Sequence, residues 1–247
     1  MALVCHGRCA AAGAFVGSGG AMRIYYLHIS NFRNINKLIF DFKDGNWNPM
    51  DCIYVAGDMG VGKTSVLDAI HKVLSGGSSW GKEAIDGRCM DRGRMRWFNT
   101  TTAKDTGCKL AYLSQYSALV INEKWLQTVK HEHFVAIEAM AHALGWKTWA
   151  ADCKRGRLTS GQQALMQMAV PIACAPEPLD VVLIDEPELH LHLSIQPHLM
   201  AQLRKLSPTT QFIVATNSEE ILQMALGYER FIIVNDGDPR ADVGGDE

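Results

Sequence analysis

The chain has 247 residues, 24 basic and 26 acidic side chains, a formal net charge of −2, and 47% apolar residues. That is one large or two small globular domains' worth of chain with an ordinary soluble composition, and it disfavours a globally basic, charge-driven nucleic-acid binder. No apolar run approaches the roughly 18 residues needed for a membrane-spanning helix, so a helical membrane protein is excluded. The seven cysteines are an odd, scattered set; only Cys5 and Cys9 lie close together, and no second pair completes a zinc site. They read as reduced thiols of a cytoplasmic protein.

Residues 1–21 are small, Gly/Ala-rich and aperiodic, and Arg8 interrupts any apolar core of a leader. The expectation is a disordered extension, with the folded part opening at Met22. RIYYLHI and KLIFDF are β-branched and aromatic, separated by the polar NFRNIN, which predicts two early strands. DCIYVA, ending in glycines, reads as a buried strand. Val66, Leu67, Ile70, Val73 and Leu74 then repeat with helical period up to Gly76-Gly77. Residues 76–107 are rich in Gly, Arg and Ser and carry no clear period.

KLAYLSQ, Lys109–Gln115, predicts another strand, and residues 121–150 a helical segment containing Trp125, Leu126, Val129, Phe134, Ile137, Met140 and Leu144. A helix is expected from near Ser160, with Pro171 bending or ending it. VVLID is a buried strand, Leu199 to Leu206 a helix, QFIVAT a strand, SEEILQMAL a helix and RFIIV a last strand. Strands alternating with helices predict an α/β fold with a mostly parallel central sheet.

Three motifs carry chemistry. GDMGVGKT, Gly57–Thr64, matches G-x-x-x-x-G-K-[ST] between a predicted strand and a predicted helix. Gly57, Gly60 and Gly62 let the backbone curl so that N–H groups of Asp58, Met59, Val61 and the helix start, through Ser65, face a phosphate. Lys63 would reach the β- and γ-phosphates, and Thr64 would offer its hydroxyl to Mg²⁺.

DVVLIDEPE, Asp180–Glu188, is an apolar strand ending in two carboxylates. Asp185 is placed to hold Mg²⁺ and Glu186 to polarise an attacking water. LTSGQQ, Leu158–Gln163, puts a hydroxyl and free N–H groups at a helix start. By itself that string is equally a helix cap on Ser160. Its order is specific, because Gly161 follows the glycine-rich loop and precedes Asp185 by 24 residues.

In this order the motifs resemble those of ABC/SMC-type P-loop ATPases, and within them the RecF/OLD-like prokaryotic branch. LTSGQQ resembles the LSGGQ signature, with Thr159 and Ser160 departing from it and Gly161 and Gln162 matching. LHISNFRNINKLIFDF resembles that branch's opening strands, and DEPELHLH its Walker B and D-loop. KLAYLSQ resembles the strand entering a Q-loop, which implies Gln115 as a Mg²⁺ and water sensor. The resemblance covers about residues 22–235. It implies a P-loop NTPase domain over 22–240, an ABC-ATPase-like head with an N-terminal β-rich edge and a helical lobe near 116–158, and a flexible tail over 241–247. It also implies ATP and Mg²⁺ as cofactors, and a nucleotide-sandwich homodimer in which Thr159, Ser160, Gly161 and Gln162 face the partner's nucleotide.

Lys63 and Leu158 are 95 residues apart, too close for a long coiled-coil arm, and the expectation is that no nuclease domain follows. The expected role is therefore an ATP-hydrolysing motor or switch in DNA repair or phage defence, with a separate effector such as a nuclease, DNA as a further partner, and no membrane. An ATP-gated scaffold with little turnover and a transporter's nucleotide-binding subunit are the alternatives.

The chain departs from the family at ATNS, where a histidine usually stands and this sequence has Asn217. Asn217 either contacts the γ-phosphate or forms a capping box with Glu220. Arg33 either contacts nucleotide or makes a structural ion pair. His190 and His192 fit a D-loop contact better than a metal pair, and His131 and His133 are expected on an exposed helical turn. Arg88, Arg92, Arg94 and Arg96 beside Trp97 and Phe98 form one basic–aromatic cluster, read as a nucleic-acid contact, a partner surface or a solvated loop. Lys154, Arg155 and Arg157 precede the signature.

Overall fold

The computed structural model describes residues 21–77, 82–100, 106–114 and 128–234. The strands are β1 (Arg23–Phe32), β2 (Ile35–Asp41), β3 (Cys52–Ala56), β4 (Ala84–Asp91), β5 (Arg94–Asn99), β6 (Leu110–Leu113), β7 (Val181–Asp185), β8 (Gln211–Ala215) and β9 (Arg230–Ile232). The helices are α1 (Lys63–Leu74), α2 (His131–Ala143), α3 (Trp149–Lys154), α4 (Ser160–Ala173), α5 (Gln196–Leu206) and α6 (Glu219–Gln223), with a 3-10 turn at Gly227–Glu229.

Two sheets organise the described residues. One is parallel, in the order β6-β7-β8-β3-β9; the other is antiparallel, in the order β2-β1-β4-β5. The central parallel strands β3 and β8 are buried at every position, as strands covered on both faces must be. Ile53, Val55, Val181, Leu183, Ile213 and Ala215 face α1 and the inner side of the antiparallel sheet. Their neighbours Cys52, Tyr54, Val182, Ile184, Phe212 and Val214 face α2 to α6. The alternation of side chains along each strand thus feeds two separate cores.

Polar joints fix the layers. Gln211 is fully buried, and its amide accepts from the Ile24 N–H and donates to the Ile24 and Met50 carbonyls, all at 2.8 Å. Asp180 accepts from Met22 N–H at 2.8 Å and Lys109 N–H at 2.9 Å. These bonds satisfy groups that would otherwise be costly to bury.

The segment 76–107, aperiodic in sequence, holds the β4–β5 hairpin. Its turn is Arg92-Gly93, with φ of 48° and 74°, the left-handed pair that a tight hairpin turn requires. Helical period does not reveal it because its residues alternate. The β-rich part is therefore a second layer running through Asn99, completed by strands that follow α1. Pro171 sits in the last turn of α4, which ends two residues later at Ala173. The predicted 121–150 segment divides at Gly145 (φ 88°) into α2 and α3; Trp125 and Leu126 lie outside the described residues. Among the described residues no helix is long and apolar enough to cross a membrane.

Candidate functional site

The carboxyl ends of β3, β7 and β8 stand side by side, with Val55 and Asp185 both paired to Ala215. Three loops leave these ends, and their side chains converge. This crevice beyond parallel strands is where an open α/β sheet has unpaired backbone to offer a ligand.

After β3 the chain turns through Gly57–Gly62 into α1. Gly57, Gly60 and Gly62 have φ of 143°, 82° and 106°, conformations that side chains with a Cβ resist. At Gly57 a Cβ would also lie 2.3 Å from the Ile233 carbonyl oxygen, so β3 and the β9 strand end close on it. Asp58, Met59 and Gly60 are exposed at the loop crest, whereas Val61 is buried in the core below.

Lys63 is only 6% exposed, and its ammonium donates to the Gly57 and Asp58 carbonyls at 2.8 Å each. The side chain thus lies back along the loop that its own backbone begins. Burial pushes its pKa down, opposed by the nearby Glu186, Glu188, Asp185 and Asp58 carboxylates.

Thr64 is exposed, and its hydroxyl donates to Asp185 at the end of β7, 2.9 Å from Oδ2 and 3.2 Å from Oδ1. Burial raises the Asp185 pKa, the Thr64 bond opposes that, and the charges of Glu186, Asp68 and Glu188 raise it further. A hydroxyl and a carboxylate held together beside a glycine-rich anion cradle form a hard-oxygen pair that suits Mg²⁺ bridging to phosphate. The residues present therefore fit a nucleotide with its metal.

Glu186 follows in the left-handed region (φ 50°), its N–H donating to the Ala215 carbonyl at 2.8 Å. That bond continues the β7–β8 ladder while turning the chain into the D-loop. A cleft lined by Ser114, Gln167, Asp185, Glu186, Pro187 and His190 opens behind it, against α4.

Glu188 ties this turn to the next one. Its carboxylate accepts from the Thr216 hydroxyl and from the Asn217 N–H, both at 2.7 Å. The N-cap of α6 is Ser218, whose hydroxyl accepts from Ile221 N–H at 3.1 Å and donates to Gln196 at 2.6 Å. The expected Asn217–Glu220 capping box does not form, and the cap falls one residue later. Asn217 is left exposed, with its backbone held by Glu188.

The signature string has a similar shift. Thr159, not Ser160, caps α4; its hydroxyl accepts from Gln162 N–H at 3.3 Å and its N–H donates to Gln162 Oε1 at 2.8 Å. Ser160 is left exposed at the first helical position, and Gln162 is buried. A Cβ on Gly161 would meet the His190 carbonyl at 2.9 Å, so the signature turn packs directly on the D-loop. His190 itself has φ of 65°. His192 pairs through Nδ1 with the Ser194 hydroxyl at 2.8 Å, inside its own turn.

Arg33 makes an ion pair with Asp68 of α1, the structural alternative of its two readings. Its neighbour Asn34, which sequence reasoning passed over, meets the loop. Its amide donates to the Gly60 carbonyl at 3.1 Å and accepts from the Ser65 hydroxyl at 2.7 Å. Gln115 lies outside the described residues. Glu188 was also missed, although the DEPE string displays it.

Comparison with known proteins bears on the fold. A family model described as "AAA domain" matches residues 26–117, and one described as "AAA domain, putative AbiEii toxin, Type IV TA system" matches residues 156–223. The ABC multidrug transporter MDR3 of Trichophyton rubrum is 24% identical over 210 residues, 82% of this chain; the chain spans 14% of that protein's length. A nucleotide-free ATP-binding cassette from an ABC transporter superposes with a TM-score of 0.51 at 13% identity, covering 87% of each chain. The SMC head domain from Thermotoga maritima gives a TM-score of 0.49 at 16% identity, covering 82% of this chain and 92% of the other.

Proposed function

Because the chain is a P-loop domain of ABC/SMC-like ATPase fold, we propose that it binds ATP with Mg²⁺ and hydrolyses it as a nucleotide-driven switch or motor. The observation that carries this reading is the Thr64–Asp185 pair, 2.9 Å apart beside the glycine-rich loop. Lys63 leaves the Gly57 and Asp58 carbonyls to bind the β- and γ-phosphates, while the loop N–H groups from Asp58 to Ser65 surround the β-phosphate. Thr64 and Asp185 hold Mg²⁺, with Gln115 as a further sensor. Glu186 orients the attacking water, and the exposed Asn217 bonds the γ-phosphate. The chemistry is positioning and charge stabilisation, without a covalent intermediate.

In this reading Thr159, Ser160, Gly161 and Gln162 meet the nucleotide of a second copy in a head-to-tail homodimer. Output falls to a separate effector such as a nuclease, in DNA repair or phage defence. The matched family described as a putative AbiEii toxin of a type IV TA system is in keeping with a chain that works beside a second gene product. Residues 22–240 would form the ATPase domain.

The deciding experiment is ATP binding and turnover by the wild-type chain and by K63A and E186Q. K63A should lose ATP; E186Q should retain ATP, stop turnover and accumulate dimer. ATP binding undiminished in K63A would sink the reading. Asn217 favours a second one, an ATP-gated scaffold: an amide cannot gain a proton near neutral pH and so cannot supply the charge of an imidazolium. Stoichiometric ATP binding with no turnover, with or without DNA, would select it. A transporter subunit, suggested by the similarity to a multidrug transporter, would require a separate membrane partner.

A further inference from the structure

β5 ends the antiparallel sheet: in the order β2-β1-β4-β5, nothing pairs beyond it among the described residues. Its bonds to β4 follow from the register. Thr100 N–H donates to the Ile85 carbonyl at 2.9 Å, so these two form a hydrogen-bonded pair, and bonded pairs alternate with non-bonded ones along an antiparallel ladder. Phe98, Arg96 and Arg94 therefore spend their backbone groups on Gly87, Cys89 and Asp91. Met95 and Trp97, opposite Met90 and Arg88, turn their N–H and C=O groups away from β4, towards the open edge.

The side chains of the same strand sort onto two faces. Met95 and Trp97 lie on the face opposite the buried Phe98 and are 56% and 62% exposed. The Arg88 guanidinium braces the indole, stacking 4.1 Å from the Trp97 centroid and 5.2 Å from that of Tyr26. Arg94 and Arg96 lie on the Phe98 face; both are exposed, and Arg96 pairs with Asp91 at 2.8 Å. All four residues from Arg94 to Trp97 are exposed, so this end of the hairpin projects beyond the core. In a chain of net charge −2, the segment 88–98 holds four arginines and one aspartate.

An unpaired strand edge is a template for another strand. Lysine and proline, which commonly blunt such edges, are absent from β5, whereas Met95 and Trp97 give it apolar surface. A second copy of the chain is a poor occupant. Antiparallel pairing of β5 with itself would gather the Arg94 and Arg96 side chains of both copies on one face, and like charges across strands destabilise. That face instead suits carboxylates. The period of a strand places them at every second residue, and the residues between them then fall against Met95 and Trp97, where apolar side chains bury area.

We propose that β5 is a docking edge for an extended segment of a partner protein in which acidic residues alternate with apolar ones. The segment adds a strand to the sheet. Its backbone bonds the free groups of Met95 and Trp97, its carboxylates meet Arg94 and Arg96, and its apolar side chains pack on Met95 and the indole. This inference gives the ATPase proposed above a surface for a separate partner but does not depend on its nucleotide chemistry. None of its residues belongs to the glycine-rich loop, the carboxylate turn or the signature.

The test is fluorescence anisotropy of a labelled peptide of alternating glutamate and valine, titrated with the full chain without nucleotide. Saturable binding is expected. A peptide of the same composition with its glutamates in one block and its valines in another keeps the charge and loses the alternation, so it should bind roughly tenfold more weakly or worse. M95P removes an edge-facing N–H while leaving the bonds to β4 in place, and should cost roughly tenfold or more. R94E/R96E should cost roughly tenfold or more, and W97A roughly tenfold. A thermal melt identifies any variant that fails to fold, and the block peptide keeps the test decisive because it uses the wild-type chain.

Four outcomes would overturn the proposal: no saturable binding of the alternating peptide, equal binding of the block peptide, binding unchanged in a folded M95P, and dimerisation of the peptide-free chain that M95P abolishes. Loss of ATP binding in K63A with peptide binding intact would leave the docking edge standing. Normal turnover with no peptide binding would remove the edge site and leave the ATPase.

Discussion

The Glu188 carboxylate holds Asn217 by its backbone N–H at 2.7 Å, joining the turn after β7 to the turn after β8. The other carboxylate oxygen takes the Thr216 hydroxyl, so one side chain spans both loops that flank the proposed γ-phosphate position. Gln196 extends the connection, donating to the Leu191 carbonyl at 3.0 Å and accepting from Ser218. Leu191 adjoins His190, on which Gly161 of the signature turn rests. A continuous run of bonded groups therefore links the two sides of the site.

That relationship separates positioning from binding. E188Q keeps the shape, but its neutral amide removes the charge behind both 2.7 Å bonds and must reverse the one to the Thr216 hydroxyl. Hydrogen bonds to a charged group contribute about 1.5–3 kcal/mol each. The expected result is a roughly tenfold or greater fall in kcat, with ATP affinity within about twofold of wild type. Steady-state kinetics beside an ATP titration would show the split. An equal loss in affinity would mean that Glu188 shapes the binding loop instead.

Asp185 gives a pH-dependent prediction. Burial first, then the charges of Glu186, Asp68 and Glu188, raise its pKa above the unfolded value, against the Thr64 bond. The folded state thus favours the protonated carboxyl. The stability this group contributes is fully present below its unfolded pKa and is lost as pH rises through its raised folded pKa. At neutral pH the ionised Asp185 therefore destabilises the nucleotide-free protein. D185N should melt at a higher temperature than wild type at neutral pH, and the gap should close in acid. Mg²⁺–ATP should raise the melting temperature of wild type far more than that of D185N. A D185N that melts lower at neutral pH would contradict the assignment.

The legibility of the sequence follows from where the signal is local. The glycine-rich loop, VVLID and QFIVAT announce themselves because each is a contiguous run with its signal in adjacent residues, and the structure places their ends side by side. The hairpin β4–β5 was hidden because only pairing with β1 gives its alternation meaning. The caps moved by one residue, to Thr159 and Ser218, because a neighbouring hydroxyl competes on equal terms for the same N–H groups. Glu188 and Asn34 carry no local period at all. Their partners are 29 and 31 residues away in sequence, and only the fold brings them together.

Gly57 and Gly60 test whether space or backbone conformation limits the loop. Both have positive φ, but a Cβ on Gly57 would lie 2.3 Å from the Ile233 carbonyl, while one on Gly60 meets nothing within 4 Å. G60A should cost about 1 kcal/mol, the strain of a left-handed alanine. G57A adds a backbone clash that must separate β3 from the β9 strand end, and should cost at least about 2 kcal/mol more. Urea denaturation of the two variants gives the comparison directly; equal midpoints would show that the strand end yields freely.

Asn34 and Arg33 are adjacent yet should differ sharply. Arg33 is 54% exposed on its side chain and pairs with Asp68, the kind of surface ion pair that contributes little. R33A should leave ATP affinity within about twofold. Asn34 joins the Gly60 carbonyl to the Ser65 hydroxyl, fixing the loop on the first turn of α1. N34A removes both bonds, each contributing about 1 kcal/mol, so ATP affinity should fall roughly tenfold. N34D can still accept from Ser65, but it cannot donate to Gly60 and brings a negative charge towards the phosphates. It should therefore bind ATP no better than N34A, and the deficit should shrink as salt screens that charge. Titration of ATP into the three variants decides the matter: if R33A loses affinity and N34A does not, the arginine contacts nucleotide and the asparagine brace is dispensable.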